Sequence, residues 1–217
     1  MAQYVFKDGR KLDVGMIYCV GKNYSGHARE MGGEIPDDPV IFMKPPSSYS
    51  SNGSKIDYPE ITNLLHYEVE LVAVIGRDAR NISPEKAPDY IAGYAAGIDL
   101  TLRDVQKKAK ESGTPWAVAK GFYSSAPVSP VVPSKEVDDP HMVELALYKN
   151  GILKQKGNTR DMERSIFEII SYLSKVFSLR SGDCVFTGTP EGVGELKKGD
   201  KVRAELIGLT SISIEIV

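Results

Sequence analysis

Apolar residues along this chain mostly alternate with polar ones or gather in short runs; the three-to-four-residue rhythm of helices is rare. The pattern predicts strands over residues 4–7 and 11–14, joined by a turn at Asp8-Gly9, then over 16–20 and 40–43. A longer apolar run, Leu71-Val72-Ala73-Val74-Ile75, is ended by Gly76 and reads as a buried strand. It extends back through His66-Tyr67-Glu68-Val69-Glu70, which places two carboxylates on it at i and i+2. A second small and apolar run, Gly93-Tyr94-Ala95-Ala96-Gly97-Ile98, ends at Asp99, just before a helix predicted over 102–110. In the second half, strands over 143–148 and 152–156 form a hairpin about Asn150-Gly151. Apolar residues at 166, 169, 170, 173, 176 and 177 predict a core-packing helix over 165–177. A strand over 184–186 leads into the glycine-rich stretch 187–194, and 201–206 and 211–217 close the chain as a hairpin about Ile207-Gly208. Two further short helices are expected, over 24–31 and 84–90, the first weakened by glycines. Many short strands with few short helices indicate an α+β fold that is predominantly β.

Composition narrows the class without choosing an activity. A chain of 217 residues, 41% hydrophobic and 26% charged, suits one soluble globular domain with at most a small appendage. The boundary is expected near residue 15, with an N-terminal strand hairpin over 1–15 and the main domain over 16–217. The net charge of -2 offers no attraction for nucleic acid or an anionic membrane. No apolar run nears the roughly 20 residues that cross a bilayer, and the first residues lack the basic-then-apolar pattern of a secretory leader. Cys19 and Cys184 lie in apolar runs, as buried thiols of a reducing compartment do, so a cytoplasmic location is expected.

The acidic strand carries the strongest chemical signal. Side chains at i and i+2 of a strand share a face, so Glu68 and Glu70 point the same way. Two buried anions side by side need a cation, whereas on a solvated edge they need nothing. Asp99, at the end of the next strand, is either a helix-start residue or a third oxygen ligand for Mg²⁺. His27 and Glu30, at i and i+3 on a helix, can pair so that the carboxylate raises the imidazole's basicity; such a pair takes a proton from water, or is a surface ion pair. Gly21, Gly26, Gly32 and Gly33 around it suit a segment that closes over a ligand. Arg103 and Gln106 share a helix face that aims back toward Asp99, or face solvent. Lys120 sits among the apolar and aromatic residues of 116–122, where it snorkels outward or puts a charge into a pocket. The stretch 187–194 lacks the lysine and helix of a phosphate loop and reads as an anion-binding or simply a tight turn. His66 is read as a packing residue or a support for the acidic strand, and His141, after Asp138-Asp139-Pro140, as a solvated loop residue.

These segments together, Gly21-Lys22-Asn23-Tyr24 with His27 and Glu30, Phe42-Met43-Lys44-Pro45, His66 to Glu70, Gly97 to Gln106, Trp116 to Lys120 and Thr187 to Gly194, occur in an order that resembles the fumarylacetoacetate hydrolase family. The likeness is to its short single-domain acylpyruvase and oxaloacetate decarboxylase type. It implies a mixed β-roll, a homodimer, and Mg²⁺ or Mn²⁺ on Glu68, Glu70 and Asp99. It further implies a water-activating dyad of His27 and Glu30 on a closing segment, Lys120 beside the reacting carbonyl, and Arg103, Gln106, Thr189 and Lys44 around a small 2-oxo acid. The expected reaction is hydrolysis of acylpyruvates to pyruvate and a carboxylate, with oxaloacetate decarboxylation beside it. Isomerisation or tautomerisation of oxo acids, oxaloacetate and hydroxymuconate-type compounds included, stands second, and a metal-dependent binding module third.

Overall fold

The computed structural model describes residues 2–217, and its strands dominate as the alternation predicts. Six strands form the central sheet in the order Val132–Pro133, Ile91–Ile98, Val69–Ile75, Cys184–Phe186, Ile17–Gly21 and Val40–Lys44. Only the Cys184–Phe186 and Ile17–Gly21 pair in it runs parallel. A five-stranded sheet holds Ile152–Asn158, Glu144–Lys149, Lys201–Leu206, Thr210–Ile216 and Lys55–Ile56.

Val69–Ile75 is buried along its whole length, which explains why it reads as a continuous apolar run and not as an alternation. Leu71, Ala73 and Ile75 face the larger core, with Leu145, Leu147, Ala204 and Ile212 of the five-stranded sheet. Val72 and Val74 face the other way and meet Tyr4, Phe6, Ile17, Cys19 and Phe186. The hairpin Gln3–Val5 and Lys11–Asp13 therefore covers the back of the central sheet.

The helix Ile166–Val176 opens on a complete capping box between Ser165 and Glu168, and its predicted stripe is buried from Ile166 to Leu173. Val176 departs from the expectation and is exposed, because the helix ends there and the chain turns away. His141 is a second correction. Its Nε2 accepts the Ile166 N–H (3.2 Å) and its ring meets Phe167 edge to face, so it docks on the helix start and is not a solvated loop residue.

The acidic strand is also not one strand. Leu65–Tyr67 belongs to a small three-stranded sheet with Thr101–Leu102 and Gly194–Leu196, while Val69–Ile75 belongs to the central sheet. Glu68 occupies the break, where the chain passes from one sheet to the other. Asp99 lies opposite that break and donates its N–H to the Glu68 carbonyl (2.8 Å). Sheet register thus brings the two carboxylate-bearing segments together.

Candidate active site

Glu68, Glu70 and Asp99 are buried, and one carboxylate oxygen of each lies within 4.8 Å of the others. Lys120 and Arg103 flank them. Lys120 Nζ donates to Glu68 Oε2 (2.9 Å), Asp99 Oδ2 (2.6 Å) and Thr101 Oγ1 (2.6 Å). Arg103 donates to the other Glu68 oxygen and to Gln106 Oε1 (2.8 Å), so the helix face bearing these two residues turns inward. That helix, Arg103–Glu111, has no side-chain cap, which removes the helix-start reading of Asp99.

The electrostatics separate the carboxylates. Burial would raise Glu68, but Lys120 and then Arg103 outweigh it and hold Glu68 well below the usual carboxylate range. Glu70 is pushed well above that range by burial, reinforced by the charges of Asp99 and Glu68. Its Oε2 accepts the Gly188 N–H (2.6 Å). Burial opposes charge on Lys120, yet Asp99 and Glu68 outweigh it and raise its pKa, so it stays an ammonium.

Such a donor set suits a hard divalent cation. All three groups offer oxygen. Asp99 Oδ1 is buried without a hydrogen bond, although Lys44 Nζ is 2.8 Å away. The three protons of the Lys44 ammonium are shared among the carbonyls of Leu100, Ser125 and Lys120 and Ser125 Oγ, so it meets Asp99 Oδ1 as an ion pair. A cation among the three carboxylates would remove the repulsion at Glu70. Lys44 itself departs from the substrate-binding role that the resemblance implies: it is fully enclosed behind Asp99 and is absent from the pocket wall.

The pocket in front of the carboxylates is lined by His27, Phe42, Arg103, Gln106, Trp116, Lys120 and Thr189 among others. His27 comes from the helix Ser25–Glu30. Its Nδ1 lies 3.3 Å from Glu30 Oε2, which leaves Nε2 as the ring nitrogen free for a substrate. Glu30 is held in turn by the Gly192 N–H (3.1 and 3.2 Å). The glycine-rich stretch therefore does bind carboxylates, those of the protein's own Glu70 and Glu30. Gly188 and Gly192 have φ of +102° and +97°, and a Cβ would meet Asn23 Cβ at 2.8 Å in the first and the Lys154 carbonyl at 2.4 Å in the second.

His66 lies beneath the site and accepts from Arg103 Nε (3.4 Å). Burial, and then Arg103, push its pKa down to about 4, so it is a neutral acceptor.

Three residues at the site have no role in the sequence reading. Thr101 accepts from Lys120. Asn23, fully buried, donates to the carbonyls of Thr187 (2.9 Å) and Arg164 (3.0 Å). Gln155 bonds Val69, Thr189 and Pro190. Its neighbours Lys154 and Lys156 are exposed, so Lys-Gln-Lys looks like a solvated edge and carries no signal of a buried amide.

The model for the fumarylacetoacetate (FAA) hydrolase C-terminal domain matches residues 16–217. The mitochondrial oxaloacetate tautomerase FAHD1 of Arabidopsis thaliana is 46% identical over 216 residues, covering 100% of this chain and 95% of that protein. The human protein of the same name is 45% identical over 200 residues, covering 92% and 90%. Among solved structures, the fumarylpyruvate hydrolase of Pseudomonas aeruginosa in complex with Mn²⁺ and pyruvate superposes with a TM-score of 0.96 at 37% identity, covering 100% of this chain and 95% of that one. The 2-hydroxyhepta-2,4-diene-1,7-dioate isomerase of Mycobacterium marinum gives 0.84 at 35% identity, covering 95% and 75%. With a family match over nearly the whole chain and these identities, the chain is an enzyme of the fumarylacetoacetate hydrolase family.

Proposed function

We propose that this enzyme acts on small 2-oxo acids with a divalent cation, and that keto–enol tautomerisation of oxaloacetate is its main reaction. The observation that carries the proposal is the placement of His27, backed from outside the pocket by Glu30, in the same pocket wall as three converging carboxylates. That arrangement sets a base on one side of a substrate and a cation-holding cluster on the other. The nearly full-length likeness to proteins named oxaloacetate tautomerase supports putting this reaction ahead of hydrolysis.

Glu68, Glu70 and Asp99 would hold Mg²⁺ or Mn²⁺, which would supply Lewis-acid stabilisation of the charge that develops on a bound oxo acid. Lys120, an ammonium held by Glu68, Asp99 and Thr101, places positive charge beside the keto oxygen as negative charge develops on it. Arg103, steadied by Gln106, and Thr189 hold the substrate carboxylate. His27 Nε2 takes the proton from C3 of the keto form, and Glu30 stabilises the resulting imidazolium through Nδ1. Return of that proton from the His27 imidazolium to C3 restores the ketone, and its transfer to the enolate oxygen instead yields the enol and frees His27 as base.

Acylpyruvate hydrolysis is the second reading, supported by the likeness to a fumarylpyruvate hydrolase. His27 would then take its proton from water attacking the distal carbonyl. The test is direct: enol-oxaloacetate, fumarylpyruvate and acetylpyruvate are each followed by ultraviolet absorbance with purified protein, with Mg²⁺ and with a chelator. Fast ketonisation of oxaloacetate, abolished by the chelator, is expected. Turnover confined to the acylpyruvates would reverse the order, and turnover of none would remove the proposal.

The segment from Tyr24 to Gly33 is proposed as a closing element. The structure describes it docked, with Glu30 on Gly192, but its central helix spans only Ser25–Glu30 and has no side-chain cap. Amide hydrogen exchange over this segment is expected to slow when oxalate is added with Mg²⁺. Equal, strong protection without oxalate would show a fixed wall. The proposal also includes a homodimer, which sedimentation would test, and a cytoplasmic location, which the two buried free thiols support.

A further inference from the structure

The buried amide of Gln155 contacts groups whose hydrogen-bonding polarity is set by the backbone. Its Oε1 accepts the Val69 N–H (2.9 Å), and Val69 lies between Glu68 and Glu70. Its Nε2 donates to the Pro190 carbonyl (2.9 Å) and to Thr189 Oγ1 (2.9 Å). An N–H can only donate and a carbonyl can only accept, so the amide has a single allowed orientation. Both Nε2 protons are then committed, and Thr189 Oγ1 must act as the acceptor in that contact. The Thr189 hydroxyl proton has no acceptor among the described residues, and Thr189 lines the pocket.

We propose that Gln155 is a positioning residue that sets Thr189 as a hydrogen-bond donor into the pocket, which selects a ligand presenting a carboxylate oxygen there. The inference rests on the 2-oxo-acid reading of the site and adds a cause for it. A threonine hydroxyl can both donate and accept, and left alone it would tolerate a neutral donor group on the ligand equally well. With one lone pair engaged by Gln155 and its proton without a protein acceptor among the described residues, it rewards an acceptor oxygen in the pocket, most strongly an anionic one. The choice is built from outside the pocket, by a residue that touches neither ligand nor carboxylate cluster.

Oxalate, a planar dicarboxylate resembling an enolised oxo acid, is the probe, and its affinity is measured by calorimetry on protein saturated with Mg²⁺. Parent protein, Gln155→Leu, Thr189→Val and the double variant complete a cycle. Loss of a hydrogen bond to a charged group is expected to weaken oxalate about 10- to 100-fold in Thr189→Val, while Thr189→Ser keeps the parent affinity. Gln155→Leu is expected to weaken oxalate at least about 10-fold in the parent background and less than about 2-fold in the Thr189→Val background. A tether acting only through Val69 would cost the same in both backgrounds, and that result overturns the proposal. So does unchanged oxalate affinity in Thr189→Val, whatever the folding of Gln155→Leu. If the parent itself fails to bind oxalate with Mg²⁺, the 2-oxo-acid reading falls and takes this role with it, an outcome distinct from binding without coupling.

Discussion

Glu70→Ala is expected to weaken Mg²⁺ binding about 100-fold or more and to abolish turnover of every 2-oxo acid. Loss of even an outer partner of a metal ligand costs about 10- to 100-fold in affinity, and a direct ligand costs at least the upper end of that range. Glu70 is also the carboxylate of the three with the least protein cation beside it. Glu68 is bonded by Lys120 and Arg103, and Asp99 has Lys120 and Lys44 close by. Glu70 accepts only the Gly188 N–H and is pushed toward protonation by burial and then by Asp99 and Glu68. Removing it takes away the negative charge that the site's own lysines and arginine leave uncompensated. Glu70→Gln keeps an acceptor for the Gly188 N–H and separates loss of metal from loss of fold. Calorimetric titration with Mg²⁺ reads both variants, and unchanged affinity in either would show that the cation, if bound at all, sits elsewhere.

His27→Ala divides the reactions that one pocket can support. Hydrolysis and tautomerisation need a base, for water in the first and for the C3 proton in the second. Oxaloacetate decarboxylation mainly needs charge stabilisation on the forming enolate. The variant is expected to lose about 10²–10⁴-fold in acylpyruvate hydrolysis and in tautomerisation, the usual worth of general-base catalysis. A smaller loss is expected in decarboxylation. The geometry behind this is the Glu30 contact at Nδ1, which leaves Nε2 toward the pocket. Rates measured on oxaloacetate and an acylpyruvate, for parent and variant, decide it. Parent-level rates on both would reduce His27 and Glu30 to an ion pair that pins the Ser25–Glu30 helix.

How much of this was legible in the chain depends on the range of the interaction. Strands, turns and the capped helix follow from side-chain alternation, glycine placement and capping chemistry, all within a few residues of one another. Hence the Asn150-Gly151 hairpin, the Cys184–Phe186 strand and the Ile166–Val176 helix were readable. The Glu68 and Glu70 pair was expected from strand parity, yet Glu68 lies between two strands, so the two carboxylates meet through the junction of the sheets. Family motifs extended the reading to Asp99, Lys120 and the His27–Glu30 pair.

Tertiary structure decided what each polar group faces, because that depends on sheet register and on segments far away in the chain. The break at Glu68 arises because two sheets meet there, a fact of topology that local periodicity does not carry. Lys44 became the enclosed support of Asp99 because its strand pairs with Ile17–Gly21 and turns the lysine inward. His141 became half-buried because the helix beginning at Ile166 packs against it. Gln155 is the clearest case. Between two exposed lysines it reads as solvated, yet the fold brings it 34 residues back from Thr189 and 86 on from Val69 to a single buried junction. Patterning determined that this is a strand-rich fold with neighbouring carboxylates, and the ordered motifs, through their resemblance to a family, that it is an enzyme. Only folding, by desolvating those groups together, determined which carboxylate has no protein cation paired with it and which hydroxyl is left to donate.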